Sequence, residues 1–439
     1  MPIAITEEGV LEIWQDSLQN RTDLRTVENE SVRIIYPGRR TDDRGADFKD
    51  AVIAAGRKRL KGDIEIHVNT SSWWAHGHHR DPAYNRVILH VVYQNDSEKA
   101  IALQNGSRAP TLALHGYIKA DNRPSLPPAI PCRNIFYRGN TSFIGRMLDE
   151  TGEQRFLARA AYFEKTAAQV GAGQALYRGI MTALGYSKNK QPMEELAGRM
   201  PLKKLETAPD EMPDNEYLAW CQALLIGTAG MLRSQHGAGY TTEEHIDDWE
   251  PKLENIWANC QERARMSAAD WHFFKVRPGN HPVRRLAAMS RLLLRYRQKG
   301  LLDGLEKKLR EAGEINRSCF LEQALLVATD GHWSNYLDFG VPSQGAPPAL
   351  LGSGRAADIV INVLLPFASA RGPAIQSQKA MEIFRHYRAP AENTLVKHMR
   401  RQLGISKPFI ASARRQQGLI HIYKTLCAEG RCRECPMNL

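Results

Sequence analysis

The segment Asp-Ile-Glu-Ile-His-Val-Asn, residues 63–69, decides the expected fold of the N-terminal region. Polar and apolar residues alternate along it, and residues two apart in a β-strand share one face. The alternation predicts a strand whose apolar face enters a core, formed by Ile64, Ile66 and Val68. The opposite face would carry Asp63, Glu65 and His67. Carboxylate and imidazole groups on one face are able to bind a divalent cation.

Neighbouring segments extend this strand into a sheet. Residues typical of strands occupy 31–37, 48–55 and 86–93, and Thr6 is a suitable N-cap for a helix that reaches Leu18. The basic stretch at 57–62 is predicted to form the hairpin turn before the central strand. The order of helix, three strands, loop or short helix, and strand predicts an α+β domain with a mixed sheet over residues 1–120.

The hydrophobic pattern changes after this region. Residues 121–140 are rich in proline and predict a linker. Further on, apolar residues recur at the i, i+3, i+4 spacing of amphipathic helices. Helices are predicted in 154–184, 215–233, 243–264, 282–312, 319–329, 355–370, 375–403 and 411–426. The sequence therefore predicts an irregular all-α domain over residues 141–439.

Charge and composition restrict the class of protein. The chain has 439 residues, 43% of them hydrophobic, and a formal net charge of +11. Residues 1–110 hold 15 basic and 16 acidic residues, so the excess of positive charge lies in the remainder. A basic remainder suits a polyanionic partner such as DNA or RNA, although many basic proteins bind neither. No apolar run has the length of a membrane span, the first residues do not resemble a secretory signal, and a cytoplasmic location is expected.

Asp47 is expected to open the second strand, opposite the strand that carries Glu65. Hydrolysis of a phosphodiester requires a metal that polarises the phosphate and lowers the pKa of the attacking water. Carboxylate oxygens suit Mg²⁺ or Mn²⁺, so Asp47 and Glu65 are the predicted metal ligands. His67, two residues beyond Glu65, is the predicted basic group that orients the water.

This element order and the Asp…Glu-x-basic spacing resemble the PD-(D/E)XK nuclease superfamily. Ala46-Asp47 stands for the Pro-Asp of that pattern, and Glu65-Ile66-His67 for its (D/E)-x-Lys. Glu8 or Glu12 would be the additional acidic residue that some members use. The resemblance implies a restriction-endonuclease-like fold and divalent-metal-dependent hydrolysis of DNA or RNA.

A histidine-rich turn follows the central strand, and it is expected to form the rim of the same site. The possible rim residues are Asp63, His76, His78, His79 and Asp81. Two other interpretations remain open. His76, His78 and Asp81 would be zinc ligands in a different metal hydrolase, or the histidines would form a structural cluster around Tyr84 and Asn85. His90, on the following strand, is expected in the core.

Segments along nearly the whole chain, from Gly45 to Cys435, are together similar to a bacterial family known only as a domain of unknown function. That resemblance implies no activity, so the nuclease hypothesis depends on the motif. The alternative hypothesis is a catalytically inactive, nuclease-like protein that binds nucleic acid or acts as a scaffold.

The C-terminus places Cys427, Cys432 and Cys435 close together, a pattern that suits zinc or an iron–sulfur cluster. The arrangement is similar to that of helicase-linked nucleases, which combine one distant cysteine with three C-terminal ones. The candidates for a fourth ligand are His421, Cys132, Cys221, Cys260 and Cys319. Reduced, unligated cysteines in a flexible tail are the alternative.

A third group of polar residues lies at a proline turn before a predicted helix. Arg277, Arg284 and Arg285 are there, and arginines at the start of a helix can bind a phosphate. Ordinary loop and capping interactions explain the same residues equally well.

Overall fold

The computed structural model describes residues 5–16, 18, 21–117, 130–235, 247–260, 265–315 and 318–438. These residues form two compact units. The first unit contains the chain up to Glu153, together with Glu392–Ala411 and the chain from Arg415 onwards. The second contains Gln154–Ala391 and Ser412–Arg414.

The first unit contains a mixed sheet. Its strands are β1 (Val32–Tyr36), β2 (Arg39–Arg40), β3 (Phe48–Ala55), β4 (Lys58–Asn69), β5 (Val87–Gln94), β6 (Ile101–Ala102), β7 (Arg108–Ala109) and β8 (Thr111–Ala113). The main sheet has the order β1-β3-β4-β5-β8, and β2 also pairs with β3. The pairs β1–β3 and β3–β4 are antiparallel, whereas β4–β5 and β5–β8 are parallel. The predicted mixed sheet is confirmed.

Strand β4 is longer than the sequence predicted. It begins at Lys58, so the turn is reduced to Gly56 and Arg57, and Ala55 pairs with Lys58. Gly56 has a positive φ of 56°, which a residue without a Cβ adopts at no steric cost. The lysine and arginine side chains of 58–61 lie mostly at the surface, so their polarity does not prevent main-chain pairing with β3.

The two faces of β4 are covered by different elements. Ile64 and Ile66 are fully buried in a core that includes Val10 and Trp14 of α1 (Glu7–Asp16). The other face lies beneath α2 (Ser72–Ala75) and the turns that follow it, where Trp73 is fully buried. Burial of both faces explains why β5 carries a nearly continuous apolar run and why the polar side chains of β4 are buried.

Most of the C-terminal segment packs in the first unit. The chain there forms α16 (Thr394–Leu403) and α17 (Ala413–Thr425). Met399 and Ile422 are buried with Ile144, Tyr36 of β1 and Val52 of β3 in one hydrophobic cluster. The predicted helical domain at 141–439 differs from this division because the apolar faces of α16 and α17 bury against the sheet side of the unit.

The described part of the predicted linker is packed. Residues 121–129 lie outside the described residues, but Ile130, Cys132 and Ile135 are buried in the same cluster as α16 and α17. Ile135 starts the short helix α3 (Ile135–Arg138).

The second unit is helical, which confirms the predicted change from α+β to α. Its first helix, α4 (Thr141–Val170), begins in the first unit, which extends to Glu153. The helices after α3 are α4 (Thr141–Val170), α5 (Ala172–Leu184), α6 (Lys190–Arg199), α7 (Leu202–Glu206), α8 (Asp214–Thr228), α9 (Trp249–Ala258), α10 (Pro282–Tyr296), α11 (Leu301–Ile315), α12 (Ser318–Gln323), α13 (Ser353–Ile359), α14 (Leu365–Arg371) and α15 (Ala374–His386). A single π-turn, Val360–Leu364, joins α13 to α14, and a short hairpin is formed by β9 (Tyr336–Asp338) and β10 (Val341–Pro342). Among the described helices, none combines the length and apolar composition that a membrane crossing requires.

Candidate functional site

The buried polar face of β4 is the centre of the site. Glu65 and His67 are 5% and 2% exposed, and they project from the face opposite to Ile64 and Ile66. This is the arrangement that the alternating sequence predicted. An ionisable group so deeply buried requires a partner or a bound ion, since burial of an uncompensated charge is costly.

Asp47 lies beside Glu65. Its backbone N–H donates to Oε2 of Glu65 at 3.2 Å, and the N–H of Ile66 donates to Oδ2 of Asp47 at 3.0 Å. The pairing of Phe48 with Ile64 at the start of β3 places the two residues opposite each other. The structure therefore brings together the two carboxylates that the sequence selected as metal ligands.

The electrostatic state of this pair favours a cation. Burial, with the nearby Glu65 as a second cause, raises the pKa of Asp47 to about 7. Burial raises the pKa of Glu65 to about 8. Two buried carboxylates side by side resist ionisation until a positive charge compensates them. A divalent cation would supply that charge, and the oxygens of Asp47 and Glu65 are suitable ligands for it.

Histidines surround Oε1 of Glu65, the carboxylate oxygen that does not accept from Asp47. Its Oε1 lies 3.2 Å from Nε2 of His78 and 3.5 Å from Nε2 of His67. His67 also contacts two other histidines, through Nδ1 to Nε2 of His90 at 2.9 Å and through Nε2 to Nδ1 of His76 at 3.1 Å. Ligand atoms of His67, His76 and His78 all lie within 4.8 Å of one another.

Burial favours the neutral form of three of these imidazoles, His67, His78 and His90. Burial and the neighbouring histidines lower the pKa of His67 to about 2, and burial with His78 lowers the pKa of His90 to about 3. Burial also lowers the pKa of His78. A neutral imidazole has a lone pair that can bind a transition metal or accept a proton. The group formed by Glu65, His67, His76 and His78 is called the histidine group below.

The turn that carries His76 and His78 is fixed by aromatic packing. The His78 ring stacks on Tyr84 with ring centres 3.9 Å apart, and Trp73 packs edge-on against both rings. The indole N–H of Trp73 donates to the carbonyl of Ala102 at 3.1 Å. Gly77 has a φ of 75°, a conformation that places His76 and His78 on the same side of the turn.

The other predicted rim residues have different roles. Asp81 accepts a hydrogen bond from the N–H of Ala83 and pairs with Arg44 at 3.1 Å, so its carboxylate stabilises the turn. Asp63 accepts from the N–H of Asp50 at 3.2 Å and lies 3.6 Å from Arg86. His79, which is half-buried, contributes no atom to the set of candidate ligands in the described residues.

Sequence reasoning placed His90 in the core, and it is fully buried there. It did not anticipate the contact of His90 with His67. No local pattern signalled this contact, because it follows from the parallel pairing of β4 with β5, which places Glu65 beside His90 in the sheet. On α1, the acidic residue that raises the pKa of both Asp47 and Glu65 is Glu7. Glu8, a residue selected from the sequence, pairs instead with Arg40 at 2.6 Å.

The C-terminal cysteines lie together in the first unit. Cys427, Cys432 and Cys435 line one cavity, and Cys132 lines it with them. Of the other candidates for a fourth ligand, Cys221 is buried in the second unit and Cys319 is exposed there. His421 does not line the cavity.

Two of the three predicted phosphate-binding arginines are interior residues. Arg284 is fully buried, and its guanidinium donates to the carbonyls of Tyr336 and Pro348 at 2.7 and 2.6 Å. Arg285 is 4% exposed, and it donates to the carbonyl of Leu350 and to the Tyr186 hydroxyl. These contacts give both arginines a structural explanation. Arg277 is exposed.

Comparison with known sequences gave one match. A family described as "Protein of unknown function (DUF2851)" matches residues 7–393. The search of curated proteins and the search of solved structures gave no match. The predicted membership of a family without an assigned function is confirmed, and any activity must be inferred from the site.

Proposed function

We propose that this chain, which belongs to the DUF2851 family, is a divalent-metal-dependent nuclease that hydrolyses phosphodiester bonds. The observation that carries the proposal is the placement of Asp47 and Glu65 on adjacent strands, where the Asp47 N–H donates to the Glu65 carboxylate, beside the neutral imidazole of His67. Neighbouring carboxylates that can hold a cation, with a side chain that orients the water, are the groups that metal-assisted hydrolysis requires.

The strand arrangement supports the same activity. Asp47 directly precedes β3, and Glu65 and His67 lie on β4, its antiparallel partner. Strand β5 then joins β4 in parallel after a short helical connection. This order agrees with the PD-(D/E)XK pattern, in which the two motif halves lie on adjacent strands, and it supports a restriction-endonuclease-like core.

The donor atoms favour Mn²⁺ over Mg²⁺. Asp47 and Glu65 supply oxygen, but His67 and His78 place ring nitrogens within 3.5 Å of Oε1 of Glu65. Mg²⁺ prefers an all-oxygen shell that retains several waters, whereas Mn²⁺ and later transition metals accept imidazole. When bound, the cation would polarise the phosphate and lower the pKa of a water.

The histidines would position that water. His67 is neutral near pH 7, since burial and the neighbouring histidines lower its pKa to about 2, so its lone pair would orient the water and would not take its proton. Contacts of 2.9 Å to His90 and 3.1 Å to His76 fix its ring on both sides. His76 is exposed and connects this ring to solvent.

A cluster of cations in the second unit supports a polyanionic substrate. Partial burial is the largest cause that lowers the pKa of Lys190. The positive charges of Arg155, Arg355 and Arg159 lower it further. Arg355 lies over the Tyr186 ring, 3.1 Å from its centre. Cations held close together can bind the phosphates of a nucleic acid.

The test is cleavage of DNA and RNA, single- and double-stranded, by the purified full chain with Mn²⁺ or Mg²⁺. We expect cleavage that is faster with Mn²⁺ and that is abolished in Asp47→Asn and Glu65→Gln. Glu98→Gln is the matched control, because Glu98 is an exposed carboxylate of the same unit. Binding of nucleic acid without cleavage under every metal would refute the nuclease proposal in favour of an inactive, nucleic-acid-binding protein.

A further inference from the structure

Four cysteines that are distant in the sequence meet at one cavity of the first unit. Cys132 lies before α3, Cys427 follows α17, and Cys432 and Cys435 belong to the last turn. The side-chain amide of Gln402 spans two of them, with Nε2 lying 3.4 Å from Sγ of Cys132 and 4.0 Å from Sγ of Cys427. The N–H of Asn134 donates to the carbonyl of Gln402 at 2.9 Å, which fixes the Cys132 segment against α16.

The four thiols lie away from bulk solvent at that cavity: Cys132, Cys427 and Cys435 are buried, and Cys432 is half-buried. None of the four forms a disulfide. Buried thiols are common individually, but four that face one cavity match the donor set of a thiolate-bound metal group.

From this geometry we infer that Cys132 is the fourth ligand of a metal site completed by Cys427, Cys432 and Cys435, and that the site holds an iron–sulfur cluster. The inference does not depend on the nuclease proposal. It assigns one ligand among the five candidates that the sequence left open, and it selects between the two kinds of metal group.

The spacing of the sulfurs separates the cluster from zinc. A tetrahedral zinc with bonds of about 2.3 Å holds its sulfurs about 3.8 Å apart. In the described residues, the set of candidate ligand atoms within 4.8 Å of one another consists of His67, His76 and His78, so no three of these sulfurs are that close. A cluster requires wider spacing, because each thiolate binds a different iron or a different position of the cluster.

A cation lies next to the site. Arg59 of β4 donates to the carbonyl of Glu429, within the cysteine-bearing turn. Lys61, on the same strand, forms an ion pair with the Glu429 side chain. A thiolate-bound cluster carries net negative charge, so these cations stabilise it. They also connect the turn to the strand that bears Glu65 and His67, and the cluster is therefore expected to support that strand.

The experiment is metal and sulfide analysis of the full chain purified without oxygen. We expect iron and acid-labile sulfide in equal amounts and visible absorbance, all of which are lost in Cys132→Ser. The matched control is Cys319→Ser, which changes an exposed cysteine of the second unit and is expected to retain the full iron content. Full iron content in Cys132→Ser, or zinc in place of iron in wild type, would overturn the inference.

A second measurement does not depend on how well a variant folds. Thiol alkylation of wild-type protein, located by mass spectrometry, should label Cys319 at once and should leave Cys132, Cys427, Cys432 and Cys435 protected. After iron chelation, the four are expected to become reactive together. Protection of the four that is unchanged by chelation, in protein shown to be metal-free, would mean that packing alone shields them and would overturn the metal site.

Discussion

Replacement of Glu65 by Gln separates the metal function of this side chain from its packing. The amide is nearly isosteric with the carboxylate, and its oxygen can still accept from the Asp47 N–H, which lies 3.2 Å from Oε2. Its NH₂ group would lie near the neutral Nε2 of His78, now 3.2 Å from Oε1, and can donate to it. The variant therefore retains the local contacts but loses a buried carboxylate ligand.

The same substitution is expected to stabilise the metal-free protein. Burial raises the pKa of Glu65 from 4.5 to about 8. The ionised form of Glu65 is thus disfavoured in the folded state, and folding loses stability as a result. This loss of folding free energy is absent below the pKa of Glu65 in the unfolded chain, and it grows as the pH rises towards 8. Glu65→Gln removes the cost, which corresponds to about 3 kcal/mol at pH 7 and about 5 kcal/mol above pH 8 as an upper limit.

Hydrogen exchange of peptides from β4 is the appropriate assay, because the chain divides into two compact units and need not unfold in one step. In the absence of metal, β4 amides should exchange more slowly in Glu65→Gln than in wild type at pH 8, with little difference near pH 5. Added Mn²⁺ should protect wild type and leave the variant unchanged. Cleavage should fall by at least about 100-fold.

Two results would refute this reasoning. Wild-type cleavage rates in Glu65→Gln would show that Glu65 holds no catalytic metal. Faster exchange in the variant at pH 8 would show that the ionised carboxylate stabilises the fold, as expected if it formed an ion pair with a protonated His78. The exposed control Glu98→Gln should differ from wild type by less than about 0.5 kcal/mol in either assay.

Three further predictions concern the same chain. Because Asp47 and Glu65 must lose protons to bind a cation, Mn²⁺ affinity measured by calorimetry should rise at least about tenfold per pH unit up to pH 7 to 8, and a pH-independent affinity would contradict their assignment as ligands. His67→Ala should slow cleavage by about 10² to 10⁴, with partial rescue by added imidazole; full activity without rescue would exclude a role for His67 in positioning the water. Lys190→Glu should weaken nucleic-acid binding in a filter assay and reduce its salt dependence, whereas the exposed control Lys379→Glu should not; equal effects would indicate a general charge response.

The sequence by itself determined the strand that carries the site. Alternation in residues 63–69 is sufficient to assign Glu65 and His67 to one face and Ile64 and Ile66 to the other, because the side-chain period of a strand is two. The apolar side of α1 and the change to helical spacing after the sheet were determined in the same way. These features depend on local periodicity, which is visible in any single sequence.

Local periodicity did not predict that Arg284 and Arg285 are buried. The sequence shows Arg284 and Arg285 at the start of α10, which is a plausible site for phosphate. The structure buries both and pairs them with main-chain carbonyls from residues 336–350. Packing between distant segments decides whether a charged side chain faces solvent or is covered by a loop. Composition and local spacing do not predict that packing.

The tertiary structure alone decided which distant residues meet. Parallel pairing of β4 with β5 brought His90 to His67, and packing of α16 and α17 in the first unit brought the C-terminal cysteines to Cys132. The sequence identified the chemical groups, since residue type and local spacing fix which atoms can bind a metal. The completed ligand sets required the fold, because contacts between remote segments follow from sheet order and helix packing and not from spacing along the chain.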